Sequence, residues 1–315
     1  MSRSIRGSSS ADAAVAAAPP GAAARAPAPT AGRGALAVFW RRFRRNRLAV
    51  AVLGVLAALH LVALAADALA PYDPAALDLL NQFAPPSREH PLGTDEAGRD
   101  VLSRLIVGAR VSLSVGLAAM LVAVTVGSVV GALAGFYGRA TDGVLMRLAD
   151  GMLTIPTFFL ALLVLAVFGS SLANVILVIG FTGWMVVARV VRAEVLRTLP
   201  QEFVLAARAL GVSDARLLAR HVVPQAFASV IVAATLGVAY AILTESALSY
   251  LGLGVQPPTP TWGNMLSGAQ QYVWTRPQLA VYPGLLIMIC VLSYNVVGDA
   301  LRDALDPRAS RARLA

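Results

Sequence analysis

Two carboxylates, Asp150 and Glu245, stand in stretches apolar enough to cross a bilayer. An ionisable group so placed is costly to desolvate and is a functional candidate by default. Paired, they would suit acid–base work inside a membrane. Their positions argue against it, because Asp150 falls near one face of the bilayer and Glu245 near the other, beyond the reach that a general acid and base need. Arg147 lies one turn from Asp150, which reads as a local ion pair rather than a proton relay. Glu245, in ESALSYLGLG, reads as a hydrogen-bonded helix-end acid or a contact with a partner chain. Direct contact with a bound ligand is its functional alternative.

The remaining chemistry is thin. Asp95, Glu96 and Asp100 cluster in HPLGTDEAGRDVLSR, and a solvated, turn-rich loop capping the next helix accounts for them without catalysis. His60, His90 and His221 are scattered, with no H-E-x-x-H spacing. The single cysteine, Cys290, excludes an intrachain disulfide and a cysteine-based metal cluster. All 26 basic residues are arginine. A G-x-x-x-x-G-K-[ST] phosphate loop needs its lysine, so the chain carries no such nucleotide site.

The elements that would hold these residues are membrane spans. Of 315 residues, 57% are hydrophobic and only 14% charged, where a soluble domain is nearer a quarter charged. Residues 1–35 are too poor in bulky apolar groups to fold alone and read as a disordered tail. The basic, aromatic FWRRFRRNR follows, and apolar runs then predict six helices at about 48–69, 111–136, 149–168, 172–191, 226–251 and 279–297. The first run exceeds a signal-peptide core and is expected to be retained. Gly127, Gly131 and Gly135 repeat every fourth residue, a packing face. Pro156 predicts a kink in the third span. Trp262 and Trp274 suit an interfacial belt. A short tail closes the chain at 309–315. The formal charge of +9 could suggest nucleic acid, but the arginines flank the spans. All but Arg88, Arg99, Arg104, Arg110 and Arg276 fall on the side of the termini. The positive-inside rule therefore predicts both termini in the cytoplasm.

The polar segment 192–224 falls on that same side. Within PQEFVLAARALGVSDARLLARHVVP, Pro200 suits a first helical turn. Phe203, Ala206, Ala207 and Leu210 make one apolar stripe. Gly211 can close that helix, Ser213 can cap a second, and Pro224 limits it. Two short helices at an angle, with alanines on the exposed stripe, form a docking knob.

This segment resembles the EAA loop of permease subunits of ATP-binding-cassette importers. Ala206, Ala207, Gly211 and Pro224 match that pattern in register, while Leu205, His221 and Val223 replace its glutamate, isoleucine and leucine. Four stretches, HPLGTDEAGRDVLSRLIVGARVSL, ARALGVSDARLLARHVVP (within this same segment), ESALSYLGLGVQPPTPTWGNML and NVVGDALRDALDPR, resemble the C-type permease of dipeptide, oligopeptide and nickel importers. The resemblance covers about residues 38–308. It implies an all-α polytopic membrane protein with the type I importer permease fold, occupying residues 36–308, in a bacterial inner membrane. It also implies a second, similar permease, two ATPase subunits holding ATP and magnesium, and an extracytoplasmic solute-binding protein. No cofactor would sit on this chain, and Phe203, Ala206, Ala207, Leu210 and Gly211 would enter a groove on one ATPase. Peptides lead as the implied substrate, with nickel chelates, glutathione and other small solutes as alternatives. A stand-alone secondary transporter is the competing class, for which inverted repeats and midplane charges are expected.

Overall fold

A computed structural model describes residues 33–305 of the chain. The chain divides into two units, Met1–Val38 and Phe39–Ala315, and the helical bundle belongs to the second. Most of the expected tail at 1–35 and all of that at 309–315 lie outside the described residues, although helix begins at Arg33.

The helices follow in order: α1 (Arg33–Arg45), α2 (Arg47–Leu64), α3 (Ala66–Leu69), α4 (Val101–Tyr137), α5 (Arg139–Thr154), α6 (Thr157–Phe168), α7 (Leu172–Thr198), α8 (Glu202–Ala209), α9 (Asp214–Leu217), α10 (Phe227–Tyr250), α11 (Trp262–Ala269) and α12 (Gln278–Leu305). Among the described residues, five helices are long and apolar enough to cross a membrane. A sixth span requires α5 and α6 to be counted together across an 83° bend. The expected kink in the third span is thus a break. Proline crowds the backbone of the residue before it. Ile155 is accordingly extended (φ −86°, ψ 124°), and α6 starts afresh at Thr157.

Helix α4 organises the bundle. Its 37 residues correspond to a rod of about 55 Å, and it starts ten residues before the predicted second span. Asp100 caps it, accepting from Ser103 N at 2.8 Å. The glycine repeat packs α4 against α7. A Cβ on Gly127 would stand 2.6 Å from the Trp184 carbonyl oxygen, and one on Gly135 would stand 2.9 Å from Val195 Cβ. At Gly131 the neighbour is the Ala188 backbone itself. Small residues here allow main chain to approach main chain, the usual source of association energy where lipid offers no hydrophobic gradient.

The loop before α4 is solvated over most of 71–92 and caps the helix as expected, but its last residues, from Gly93 to Asp100, are largely buried and tied down. Asp95 accepts from Arg99 Nε at 2.8 Å and lies 3.3 Å from Arg104 Nε, while Arg99 also donates to Glu96. Asp100 takes a further contact from His90 Nδ1 at 2.9 Å. Asp95, Asp100 and Arg104 are all buried, an arrangement that isolated charges would not tolerate and that mutual pairing makes feasible. At the exposed edge, the Asn81 amide holds the Asp78 carboxyl below the usual carboxylate range. Trp262 is fully buried, donating its backbone N–H to Ser112 Oγ and its indole N–H to the Leu105 carbonyl, so only Trp274 fits the expected belt by exposure.

The bundle has two distinct ends. The 70–100 loop, the N-terminus of α4 and the loop after α10 share one, where Asp95, Arg104, Val255 and Gln256 line a common cavity of about 290 Å³. The opposite end gathers the C-termini of α4, α7 and α12 and the start of α2. There Phe43 and Ala49 pack on Ala300 and Ala304.

Candidate coupling elbow and groove

The segment between α7 and α10 folds as an elbow at this second end. α7 stops at Thr198, and Pro200 lies in the turn before α8, whose first helical residue is Glu202. Pro200 therefore separates two helices instead of opening the second. Gly211 takes φ +79°. Its N–H donates to the Arg208 carbonyl at 3.0 Å and Val212 N–H to the Ala207 carbonyl at 3.2 Å. This paired pattern closes a helix when the residue after its cap is left-handed, a conformation open to glycine without a steric penalty.

Position Ser213 does precede α9, but its hydroxyl makes no capping hydrogen bond. Pro224 does not end the second short helix either. The chain passes from α9 through a π turn (Leu218–Val222) and a 3-10 turn (Val223–Ala226) into α10. The two irregular turns absorb the missing proline N–H, and the Pro224 carbonyl still accepts from Phe227 N. Helix therefore runs from Asp214 to Tyr250, 37 residues. The elbow is the end of a membrane-crossing rod.

The apolar stripe of α8 divides between two environments. Phe203, Ala206 and Leu210 face outward, with Leu210 85% exposed, and Leu205 is exposed beside them. Ala207 turns inward with Val204 and joins Leu217, Val222 and Ala226 in the main core. A helix advances about 100° per residue, so a four-residue stripe wide enough to include Ala207 straddles the boundary between surface and core. Arg208 lies over the Phe136 ring at 5.9 Å, holding α8 against the end of α4.

Ion pairs bind α5 to α7 nearby. Arg192 bridges both oxygens of Asp142 at 2.5 and 2.6 Å, and Arg189 meets Asp150 at 2.5 Å. Asp150 is paired as expected, but across helices instead of with Arg147. Asp142 and Asp150 are eight residues apart, a little over two turns, which is the signal that both acids face one neighbouring helix.

Between these helices lies a groove of about 890 Å³ with walls from α4, α7, α10 and the end of α12. Its middle is apolar, through Met120, Val186, Val190, Val232 and Leu236, with the Thr157 and Tyr240 hydroxyls 3.2 Å apart at one side. Its charged lining residues, Glu194, Arg197 and Arg302, gather at the elbow end. Glu194 Oε1 accepts from Ser229 Oγ at 2.6 Å, and Oε2 lies 2.6 Å from Arg197. Sequence alone did not single out Glu194, because an acid three residues before an arginine near a helix end has no distinguishing pattern.

Glu245 lies far from this charged end. It is 0% exposed, accepting from Ser249 Oγ at 2.7 Å and from Ser112 Oγ at 3.3 Å. Ser249 in turn accepts from Val255 N, and Ser112 from Trp262 N. The carboxylate thus ties α4 and α10 to the loop that follows. Asp150 and Glu245 sit at opposite ends of the bundle, so the structure brings no acid–base pair together from them.

Comparison with known proteins bears on this geometry. A family model described as the binding-protein-dependent transport system inner membrane component matches residues 127–311. A second, described as the N-terminal TM domain of oligopeptide transport permease C, matches residues 35–86. The chain is 39% identical to a dipeptide transport system permease protein of Alkalihalophilus pseudofirmus, over 85% of this chain and 88% of the relative. It is 42% identical to an oligopeptide transport system permease protein of Bacillus subtilis, again over 85% and 88%. It is also 42% identical to a nickel transport system permease protein of Escherichia coli (strain K12), over 83% and 93%.

Proposed function

This chain belongs to the family of binding-protein-dependent transport system inner membrane components, and from that premise we propose that it forms one half of a peptide-conducting path driven by separate ATPases. It is an importer permease of the dipeptide, oligopeptide and nickel type, and its relatives are transport permeases; ATP hydrolysis falls, in this reading, to the partner subunits. In the proposed assembly a second, similar permease lies beside it. Two ATPase subunits holding ATP and magnesium bind below, and a solute-binding protein docks above. Both termini and the elbow face the cytoplasm.

The exposed elbow on a continuous helix carries this reading. Phe203, Ala206 and Leu210 present an apolar face on and just after α8, and Val204 and Ala207 of that helix share a core with Leu217, at the start of the rod from Asp214 to Tyr250. A displacement of the elbow by closing ATPases would tilt α10, one wall of the groove. Such coupling is a bias between two rigid arrangements, and only a partner that favours one arrangement can drive it.

Dipeptides and short oligopeptides are the proposed cargo. A nickel permease relative shares as much identity as an oligopeptide one, so a nickel chelate, glutathione or another small solute is the alternative. No relative favours a stand-alone secondary transporter, and none is proposed. The test is reconstitution of the chain with its genomic partner subunits in proteoliposomes, followed by ATP-dependent uptake of labelled dipeptides, a nickel chelate and glutathione. Uptake driven by a proton or sodium gradient with this chain alone would overturn the assembly. Nickel-chelate uptake without peptide uptake would overturn the cargo.

A further inference from the structure

The stretch Phe39–Arg47 combines aromatic and basic residues at the point where the first span begins. At about 100° per residue, Phe39, Phe43 and Trp40 share one sector of α1, and Arg44, Arg41 and Arg45 share the adjoining one, with Arg44 next to Trp40. Phe43 is buried against Ala49, Ala300 and Ala304, which pins this part of the helix to the ends of α2 and α12. Trp40 stacks on Phe43, with ring centroids 5.9 Å apart, yet remains 49% exposed. Asn46 then caps α2 through Ala49 N, so the basic face lies within two turns of the span. No acid occurs between Arg33 and Arg47. Among the described residues, Arg41, Arg44, Arg45 and Arg47 are exposed and carry no ion pair, whereas Arg42 is already engaged.

We propose that this face of α1 binds anionic phospholipid headgroups of the leaflet on the elbow side. Sidedness rests on the cytoplasmic orientation given above, but lipid binding itself does not. Several arginines beside a span attract an anionic surface, and an indole at the same level suits the boundary between headgroup and acyl chain. Topology alone would ask only for positive charge. It would not ask for an amphipathic helix docked by one phenylalanine with its tryptophan left free.

The test is native mass spectrometry of the assembled transporter, extracted from membranes containing phosphatidylethanolamine, phosphatidylglycerol and cardiolipin. Arg41→Gln with Arg44→Gln should cut retained anionic lipid by about tenfold, since each basic residue near a charged surface contributes severalfold. Arg139→Gln with Arg147→Gln, an equal charge change on α5, should leave retention unchanged. Equal losses in both variants, or none in the first, overturn the proposal. A second measurement needs no charge change. Brominated phosphatidylglycerol should quench tryptophan fluorescence more than brominated phosphatidylcholine, and Trp40→Phe should remove that excess. Equal quenching by the two lipids also overturns it. Neither readout depends on transport, so failure here leaves the permease assignment untouched.

Discussion

Glu194 and Ser229 close the base of the elbow, the serine hydroxyl on α10 donating to the carboxylate on α7 at 2.6 Å. The two residues bracket the whole of α8 and α9, so the arms that enter and leave the elbow are joined where they meet the bundle. A hydrogen bond to a charged group contributes about 1.5–3 kcal/mol, enough to keep two helices moving as one. Ser229→Ala should therefore lower solute uptake severalfold in a reconstituted transporter while ATP hydrolysis continues. Ser229→Thr should restore it. Uptake per ATP equal to wild type in Ser229→Ala would show that the arms need no such tie.

Gly211 carries the second prediction. Its left-handed backbone costs an L-residue about 1–2 kcal/mol, and a β-branched side chain more. Gly211→Val should leave the bundle assembled but misalign α8, abolishing the stimulation of ATPase activity by solute-loaded binding protein. Leu210→Asp should do the same by charging the most exposed apolar side chain of the elbow, with no change in thermal stability. Normal stimulation in both variants would remove the docking role.

Packing between α4 and α7 can be tested with a matched pair of glycines. At Gly131 an added methyl meets the Ala188 backbone, whereas at Gly143 nothing lies within 4 Å. Overpacking typically costs about 1–3 kcal/mol. Gly131→Ala should lower the melting temperature of the detergent-solubilised protein by several degrees, and Gly143→Ala should leave it in place. Fluorescence-detected melting of the two variants decides the matter.

Glu245 separates a structural from a substrate role by shape. Glu245→Gln keeps an acceptor for Ser249 and should give a protein of near-normal stability and unchanged solute preference. Glu245→Leu strands several buried hydroxyls, each costing about 1–3 kcal/mol, and should reduce the folded yield. An altered solute preference in Glu245→Gln at full stability would place the carboxylate on the transport path instead.

Membrane residence and the approximate spans were legible in the sequence because apolar run length is a local property that the bilayer reads directly. Gly211 was legible for a similar reason, since a helix end with a left-handed residue is a local event. So was the glycine face of α4, which a four-residue repeat places on one side whatever lies opposite. The inward turn of Ala207, by contrast, depended on how α8 lies against α4 and α10. Asp150 found Arg189 because α5 runs beside α7, and Trp262 was drawn inside by Ser112 and Leu105, residues about 150 positions away. Pro156 broke its helix while Pro224 was absorbed, although both follow apolar residues. Local sequence sets what each segment can do. Only the packing of distant segments, which supplies the partners for each charge and the cover for each face, decided which of those options was taken.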